Sequence, residues 1–215
     1  MIELQPILHV LRQRGILLGP GHFVLGDGYG NPGHHSATFV DWQKFNEAVD
    51  LYAVLVERLA EQVQHLNFDL IVTPDEESLP TARMLAKVFT GYSYRPEIPC
   101  QICSATSAVK DAAPLALIHD DFVNRGRQLN DSFGALTRKG YLPVALTCLF
   151  TRVAENEIFG LPIYAAVEHA VAATPADKCP LCAAGEPVDV RYGKGALFAA
   201  RPAGVGVGAT PAAMR

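Results

Sequence analysis

The stretch LALIHDDFVNRGRQLNDSF, residues 115–133, decides how this chain is read. Leu115, Ala116, Leu117 and Ile118 form a short continuous apolar run, as expected of a strand buried on both faces. That strand delivers Asp120 and Asp121 to its carboxyl end, and a helical pattern restarts near Arg127 with Gly126 in the turn. Such a joint aims backbone N–H groups and the positive end of a helix dipole at one spot, which suits an anion. Two adjacent carboxylates beside it can accept hydrogen bonds from a vicinal diol. Together these groups would hold a sugar phosphate. Taken alone, the acidic pair could instead simply cap the following helix, the less favoured reading.

Working outward, continuous apolar runs alternate with helical patterns. Phe68-Asp-Leu-Ile-Val, Ile98 to Ile102, Val144 to Phe150 and Ile163 to Val167 read as strands. Leu79 to Phe89 and Gln128 to Arg138 read as helices. This alternation predicts an α/β fold with a central parallel β-sheet flanked by helices, in which ligands sit at the carboxyl ends of the strands. Earlier in the chain, Leu4 to Leu17 has helical spacing ended by Gly15, and a glycine-rich stretch then predicts turns and short strands. From Gln43 to Leu66 the pattern predicts one long amphipathic helix. Its buried stripe is Phe45, Val49, Leu51, Val54, Leu55, Leu59 and Val63. The expected organisation is an N-terminal helix and hood segment (1–42), a core (43–170), a C-terminal Cys-x-x-Cys segment completing the hood (171–200), and a Gly/Pro-rich disordered tail (201–215).

The bulk properties narrow the functions. The chain has 215 residues, 49% of them hydrophobic, enough to bury a sizeable core. A net charge of −4 offers no basic field for nucleic acid or an anionic membrane. No apolar run approaches the roughly 20 residues of a membrane span, and MIELQPILHVLRQRG is no secretory signal. Cys100, Cys103, Cys148, Cys179 and Cys182 are odd in number and unevenly spread, which predicts reduced thiols and a cytoplasmic protein. Cys179 and Cys182 form a Cys-x-x-Cys, half a zinc site that Cys100 and Cys103 can in principle complete, although positions three apart on a strand face opposite ways. A thioredoxin-like redox pair is the other reading. The neighbours His34 and His35, in the glycine-rich stretch, are a further candidate for metal. Cys148, inside a strand-like run, reads as a core residue.

Residues 115–133 also resemble the phosphoribosyl-diphosphate signature of type I phosphoribosyltransferases: an apolar run, two acids, two apolar residues, then a small-residue loop. Asp120, Asp121, Phe122, Val123 and Gly126 match, while Asn124, Arg125, Arg127 and Gln128 replace small hydroxyl and glycine positions. The resemblance implies that Asp120 and Asp121 meet the ribose hydroxyls and, through Mg2+, the ligand. It assigns Asn124, Arg125, Gly126, Arg127 and Gln128 to the 5′-phosphate. The two arginines either strengthen phosphate binding by charge-assisted bonds or fill its space.

Gly21, His22, Phe23, Leu25, Gly28 and Asp41 follow the order of the opening of orotate phosphoribosyltransferases, implying that Phe23, His34 and His35 belong to a hood that meets the base. The stretch LIVTPDEESLPTARMLAK, residues 70–87, is similar to the family's pyrophosphate loop, with Thr73, Pro74, Asp75, Glu76, Glu77 and Ser78 in the loop itself. There the paired glycines have become Glu77 and Ser78. A pyrophosphate loop needs bare backbone, which glycine leaves open and side chains obstruct. The family's mobile basic loop corresponds to CQICSATSAVKDAAPLALI, where Lys110 is the only cation and so the one catalytic candidate. DKCPLCAAGEPV, residues 177–188, is similar to a segment near the end of many orotate phosphoribosyltransferases.

The resemblance thus implies transfer of ribosyl phosphate from phosphoribosyl diphosphate to a nucleobase with Mg2+, in pyrimidine biosynthesis, by a chain that pairs as a homodimer. A non-catalytic module of the same fold, binding a nucleoside monophosphate or ribose phosphate, is the alternative. A third possibility treats Asp75, Glu76, Glu77, Asp120 and Asp121 as one carboxylate cluster holding a divalent metal for hydrolysis or elimination on a phosphorylated sugar.

Overall fold

The computed structural model describes residues 4–26, 32–93, 100–102, 113–123, 127–153, 155–168 and 173–200. Its elements run α1 (Leu4–Gln13), β1 (Leu17–Leu18), β2 (Phe23–Gly26), β3 (Pro32–Ser36), β4 (Phe39–Val40), α2 (Trp42–Glu47), α3 (Val49–Val63), β5 (Leu70–Thr73) and α4 (Leu79–Ser93). There follow β6 (Cys100–Ile102), β7 (Leu115–Val123), α5 (Arg127–Arg138), β8 (Leu142–Thr151), β9 (Glu157–Ile158), β10 (Leu161–Glu168), β11 (Thr174–Pro175), a 3-10 turn (Ala176–Lys178), α6 (Pro180–Ala183) and α7 (Gly195–Ala199). The chain divides into two units. The first takes Met1–Leu8 and Asn46–Ala170, the second His9–Phe45 and Val171–Arg215.

The first unit is built on a six-stranded sheet in the order β6-β5-β7-β8-β10-β9. Five strands are parallel and the short edge strand β9 is antiparallel. Strands this apolar and this parallel must be covered on both faces. On one face, Leu70, Val72, Ala116, Ile118, Leu146 and Cys148 cluster with Leu136 of α5. On the other, the buried His119 of β7 bonds Thr81 of α4.

Two consequences position the site. From β5 the chain steps outward to β6 and then returns to the other side of β5 as β7. The strand order therefore reverses at the β5/β7 boundary, where open α/β sheets bind ligands. In addition, β7 outruns β5. Its last pair with β5 is Val72↔Ile118, whereas with β8 it pairs as far as Val123↔Thr151. Asp120 and Asp121 thus stand beyond the end of β5, over the loop that follows it.

Several elements differ from the sequence-based expectation. The single helix over Gln43–Leu66 is two helices, because the backbone leaves helical space at Ala48 (φ −92°, ψ 62°), close to where the chain passes from the second unit to the first. Val49, expected in the buried stripe, is 69% exposed, and Val56 and Ala60 join Leu51, Leu55, Leu59 and Val63 inside. The first helix stops at Gln13, ahead of the left-handed Gly15 (φ 65°). Strand β7 extends past Ile118 to Val123, so the two acids lie within the strand's final residues. The expected tail, 201–215, lies outside the described residues.

The second unit contains the antiparallel sheet β11-β3-β2 and the pair β1-β4. Phe23 packs against Phe39 and Tyr192, with ring centroids 5.8 and 6.2 Å away. The segment after α6 folds back on β2, where Lys194 N–H donates to the Val24 carbonyl at 2.8 Å. Gly193 (φ 58°) approaches that carbonyl so closely that a Cβ has no room. Among the described residues no helix is long and apolar enough to cross a membrane.

Candidate functional site

At the carboxyl ends of β5 and β7 the organising residue is Ser78, fully buried just ahead of α4. The turn before it closes through local bonds. Thr73 hydroxyl donates to the Asp75 carbonyl (2.9 Å) and Ser78 N–H to Asp75 Oδ1 (3.0 Å). Ala82 N–H and the Thr81 hydroxyl both donate to the Ser78 carbonyl, at 3.1 and 2.9 Å. Pro80 sits in the first helical turn, where its missing N–H costs nothing. Ser78 Oγ then lies 3.1 Å from Asp75 Oδ1 and 3.3 Å from Asp120 Oδ1, and accepts Asp121 N–H at 3.3 Å. One hydroxyl proton thus faces two carboxylates.

The electrostatics follow from that crowding. Asp120 and Asp121 share a side-chain hydrogen bond, and both are pushed well above the ordinary carboxylate range. For each the first cause is burial. Asp121 is then raised by the charges of Asp120, Asp75 and Glu77, and Asp120 by that of Asp75. They titrate as a pair. Tyr52 of α3 feels the same field: burial and then the Asp121 charge push it up to about 12, while its hydroxyl donates to Asn46. Beneath the rim, His119 Nε2 lies 2.9 Å from Thr81 Oγ1 and Nδ1 lies 3.1 Å from Thr147 Oγ1. The Thr81 hydroxyl also reaches the Ser78 carbonyl and the Thr147 hydroxyl the Ile118 carbonyl, at 2.9 and 3.1 Å; burial holds the ring neutral, pulled down to about 3, so one ring nitrogen donates and the other accepts. This network ties the start of α4 to β7 and β8. At the end of β8 the buried Arg152 lies 5.7 Å from the centre of the Phe122 ring, and burial draws it down to about 10.

No protein-family model and no curated protein sequence matches the chain. Solved structures do. Orotate phosphoribosyltransferase from Aeropyrum pernix superposes with a TM-score of 0.56 at 20% identity, covering 75% of this chain and 93% of that one. The Francisella tularensis orotate phosphoribosyltransferase gives 0.57 at 17% identity, covering 76% and 85%. Leishmania donovani UMP synthase gives 0.55 at 18% identity, covering 76% of this chain and 36% of that larger one. The fold is that of the type I phosphoribosyltransferases.

Within that fold the residues expected from the sequence are distributed as follows. Asp120 and Asp121 meet Asp75 and Ser78 at the strand rim, and the charge of Glu77 reaches Asp121. Glu76, at the exposed crest of the turn, accepts Leu79 N–H through its carbonyl at 3.3 Å. Pro74 follows Thr73, the last residue of β5. Arg127 and Gln128 open α5 directly after β7, while Asn124, Arg125, Gly126 and the catalytic candidate Lys110 lie outside the described residues. Tyr52, His119 and Arg152 also belong to this site, although no sequence motif contains them as functional positions. His119 alone carried a signal there, as the residue before the acidic pair; Tyr52 reaches Asp121 only through the fold.

The hood residues named from the sequence lie in the second unit. Phe23 and His35 are buried, at 4% and 1% exposure, while His34 is partly exposed on the opposite side of β3. His35 does not act with its neighbour His34. Its Nδ1 lies 2.7 Å from His22 Nε2 and 3.2 Å from Cys182 Sγ. His22 Nε2 in turn lies 3.7 Å from Cys179 Sγ and 3.6 Å from Cys182 Sγ. Burial, then the nearby His22 and His34, pull His35 down to about 4, leaving the imidazole neutral. The cysteine pair therefore finds histidines, whereas Cys100 belongs to the first unit's sheet and Cys103 lies outside the described residues.

Proposed function

We propose that the chain binds the ribose 5-phosphate group of phosphoribosyl diphosphate or of a nucleoside monophosphate at the carboxyl ends of β5 and β7. Asp120 and Asp121 accept hydrogen bonds from the ribose hydroxyls, and residues 124–128, leading into α5, receive the phosphate. The observation that carries this reading is the acidic pair held past the end of β5, at the reversal of strand order in a phosphoribosyltransferase fold. Carboxyls raised first by burial and then by neighbouring acids gain from hydroxyl donors that replace the lost solvation of the charged form. The negative charge that Asp75, Glu77 and Asp120 direct at Asp121 would also favour Mg2+, which would supply charge neutralisation beside a phosphorylated ligand.

The state of Ser78 favours a second, narrower reading: a nucleoside monophosphate or ribose 5-phosphate is the ligand, and the chain is a binding module of this fold. Where the family's pyrophosphate loop offers glycine backbone, this chain places a buried serine bonded to Asp75 and Asp120, and adds acids that repel a diphosphate. One like charge about 4 Å from a phosphate costs about 1 kcal/mol in water and more in a drier site. Titration calorimetry with ribose 5-phosphate, nucleoside monophosphates and phosphoribosyl diphosphate, each with and without Mg2+, tests both readings. Monophosphates binding at least as tightly as the diphosphate is the expected result. Strong Mg2+-dependent diphosphate binding with turnover of a base would restore the transferase, and no binding by any ribose phosphate would end the assignment altogether.

A further inference from the structure

We propose that His22, His35, Cys179 and Cys182 bind one zinc ion as a closed, four-ligand structural site within the second unit. Their ligand atoms all lie within 4.8 Å of one another, although Cys179 follows His22 by 157 positions. A tetrahedral centre with Zn–S of about 2.3 Å and Zn–N of about 2.0–2.1 Å has S···N edges of about 3.6 Å. His22 Nε2 stands 3.7 and 3.6 Å from the two sulfurs, and His35 Nδ1 3.2 Å from Cys182 Sγ. An N···N edge of about 3.4 Å asks the two imidazoles, now 2.7 Å apart, to part by roughly 0.7 Å.

The surrounding structure orients His22 as a zinc ligand requires and packs His35 in place. His22 Nδ1 donates to the Glu186 carbonyl at 2.7 Å, which places its proton there and aims the Nε2 lone pair into the cluster. Glu186 reaches that position because α6 ends in a Schellman turn: Glu186 N–H bonds the Leu181 carbonyl at 2.9 Å and Gly185 N–H the Cys182 carbonyl at 3.0 Å, with Gly185 left-handed (φ 72°). Cys179 caps α6 and Cys182 lies in its first turn, three residues on, so both sulfurs share one side of the helix. His35 is held by β3 between Val24 of β2 and Thr174 of β11, with its ring edge-on to Phe198 at 4.6 Å. Two thiols and two imidazoles, buried except at Cys182, match the S2N2 donor set that selects zinc over hard cations. Binding releases the two thiol protons to solvent. Four protein ligands complete the coordination, so the ion staples the hairpin β2–β3 to the C-terminal segment and takes no part in turnover. This inference is independent of the ribose-phosphate assignment.

The test uses the full chain purified without chelator. Elemental analysis should find one zinc per chain. Replacement by Co2+ should give the visible bands of a tetrahedral site with thiolate charge transfer. Cys182→Ser, at the exposed ligand, should cut the charge-transfer intensity to about half. His22→Ala should broaden or abolish the bands. Cys148→Ser, and the double variant Cys100→Ser with Cys103→Ser, should leave the spectrum unchanged. A chain without stoichiometric zinc, a Cys179–Cys182 disulfide in the protein as isolated, or a cobalt spectrum that depends on Cys100 and Cys103 would each overturn the proposal.

Discussion

The strand rim of the first unit and the sulfur–nitrogen cluster of the second both gather ionisable side chains, and each wants a different partner. At the rim every group is a potential anion, so each ionisation makes the next harder, and one serine hydroxyl is shared between two carboxylates. In the cluster two thiols and two imidazoles face one another, and one imidazole is already turned inward by a backbone carbonyl. The first site is strained without a ligand and suits hydroxyl donors or a hard cation. The second is preorganised and suits a borderline-soft one. Proximity of titratable residues alone therefore says little; the sign of their charge when paired decides what they hold.

The contrast can be broken most sharply at the acidic pair. Asp120→Asn with Asp121→Asn should remove the pair's carboxylate charge, a loss of about 1.5–3 kcal/mol for a hydrogen bond to one charged acceptor, lowering ribose-phosphate affinity by roughly 10- to 150-fold in calorimetric titration. Unchanged affinity would place the site elsewhere. The same double variant should melt higher than the parent at pH 8, by about 1–3 kcal/mol of stability. The sign follows from the raised folded-state values: the unfolded carboxyls ionise near pH 4, the folded ones higher. Their contribution is thus fully favourable below about pH 4 and is lost as pH rises through the folded range. A parent protein whose melting temperature holds flat from pH 4 to pH 8, once other titrations are matched in the variant, would contradict the strain assigned to the rim.

Two smaller effects sharpen the comparison. Gly185→Ala puts a side chain on a left-handed residue and should cost the second unit about 1–2 kcal/mol, visible as a lower melting temperature and weaker retention of zinc against a chelator. Ribose-phosphate affinity should stay within twofold, and a larger loss would show that the two sites do not act independently. Glu77→Gly with Ser78→Gly restores bare backbone and removes one charge. It should raise affinity for phosphoribosyl diphosphate relative to a monophosphate by about 5- to 10-fold. No change in that ratio would show that the turn does not obstruct the diphosphate.

Much of the first unit was legible because its signals are local. A buried parallel strand must be apolar throughout, so Leu70–Thr73 and Leu115–Ile118 announce themselves, and the acids that follow are visible by chain order. The join at Ala48 was not legible, because Phe45 and Leu51 keep apolar periodicity across it while a local change of backbone angle breaks the helix. Tyr52 beside Asp121, and Ser78 as the shared donor, depend on how α3 and α4 pack and carry no spacing of their own. In the second unit the Cys-x-x-Cys was visible as half a site, but the pairing of His34 with His35 misled. Adjacent residues on a strand face opposite ways, so only one of them can join a cluster.

What the linear chain determined by itself is the alternation of strands and helices that builds the central parallel sheet, the acidic doublet at the end of β7 and the close spacing of Cys179 and Cys182. These follow from apolar runs, periodicity and near-neighbour geometry, which act over a few residues. Tertiary structure alone decided that His22 and His35 meet those cysteines across more than a hundred intervening positions, and that Ser78 stands between Asp75 and Asp120. Those contacts are set by sheet register and helix packing, whose energies are spread over many side chains and leave no mark on any single stretch of sequence.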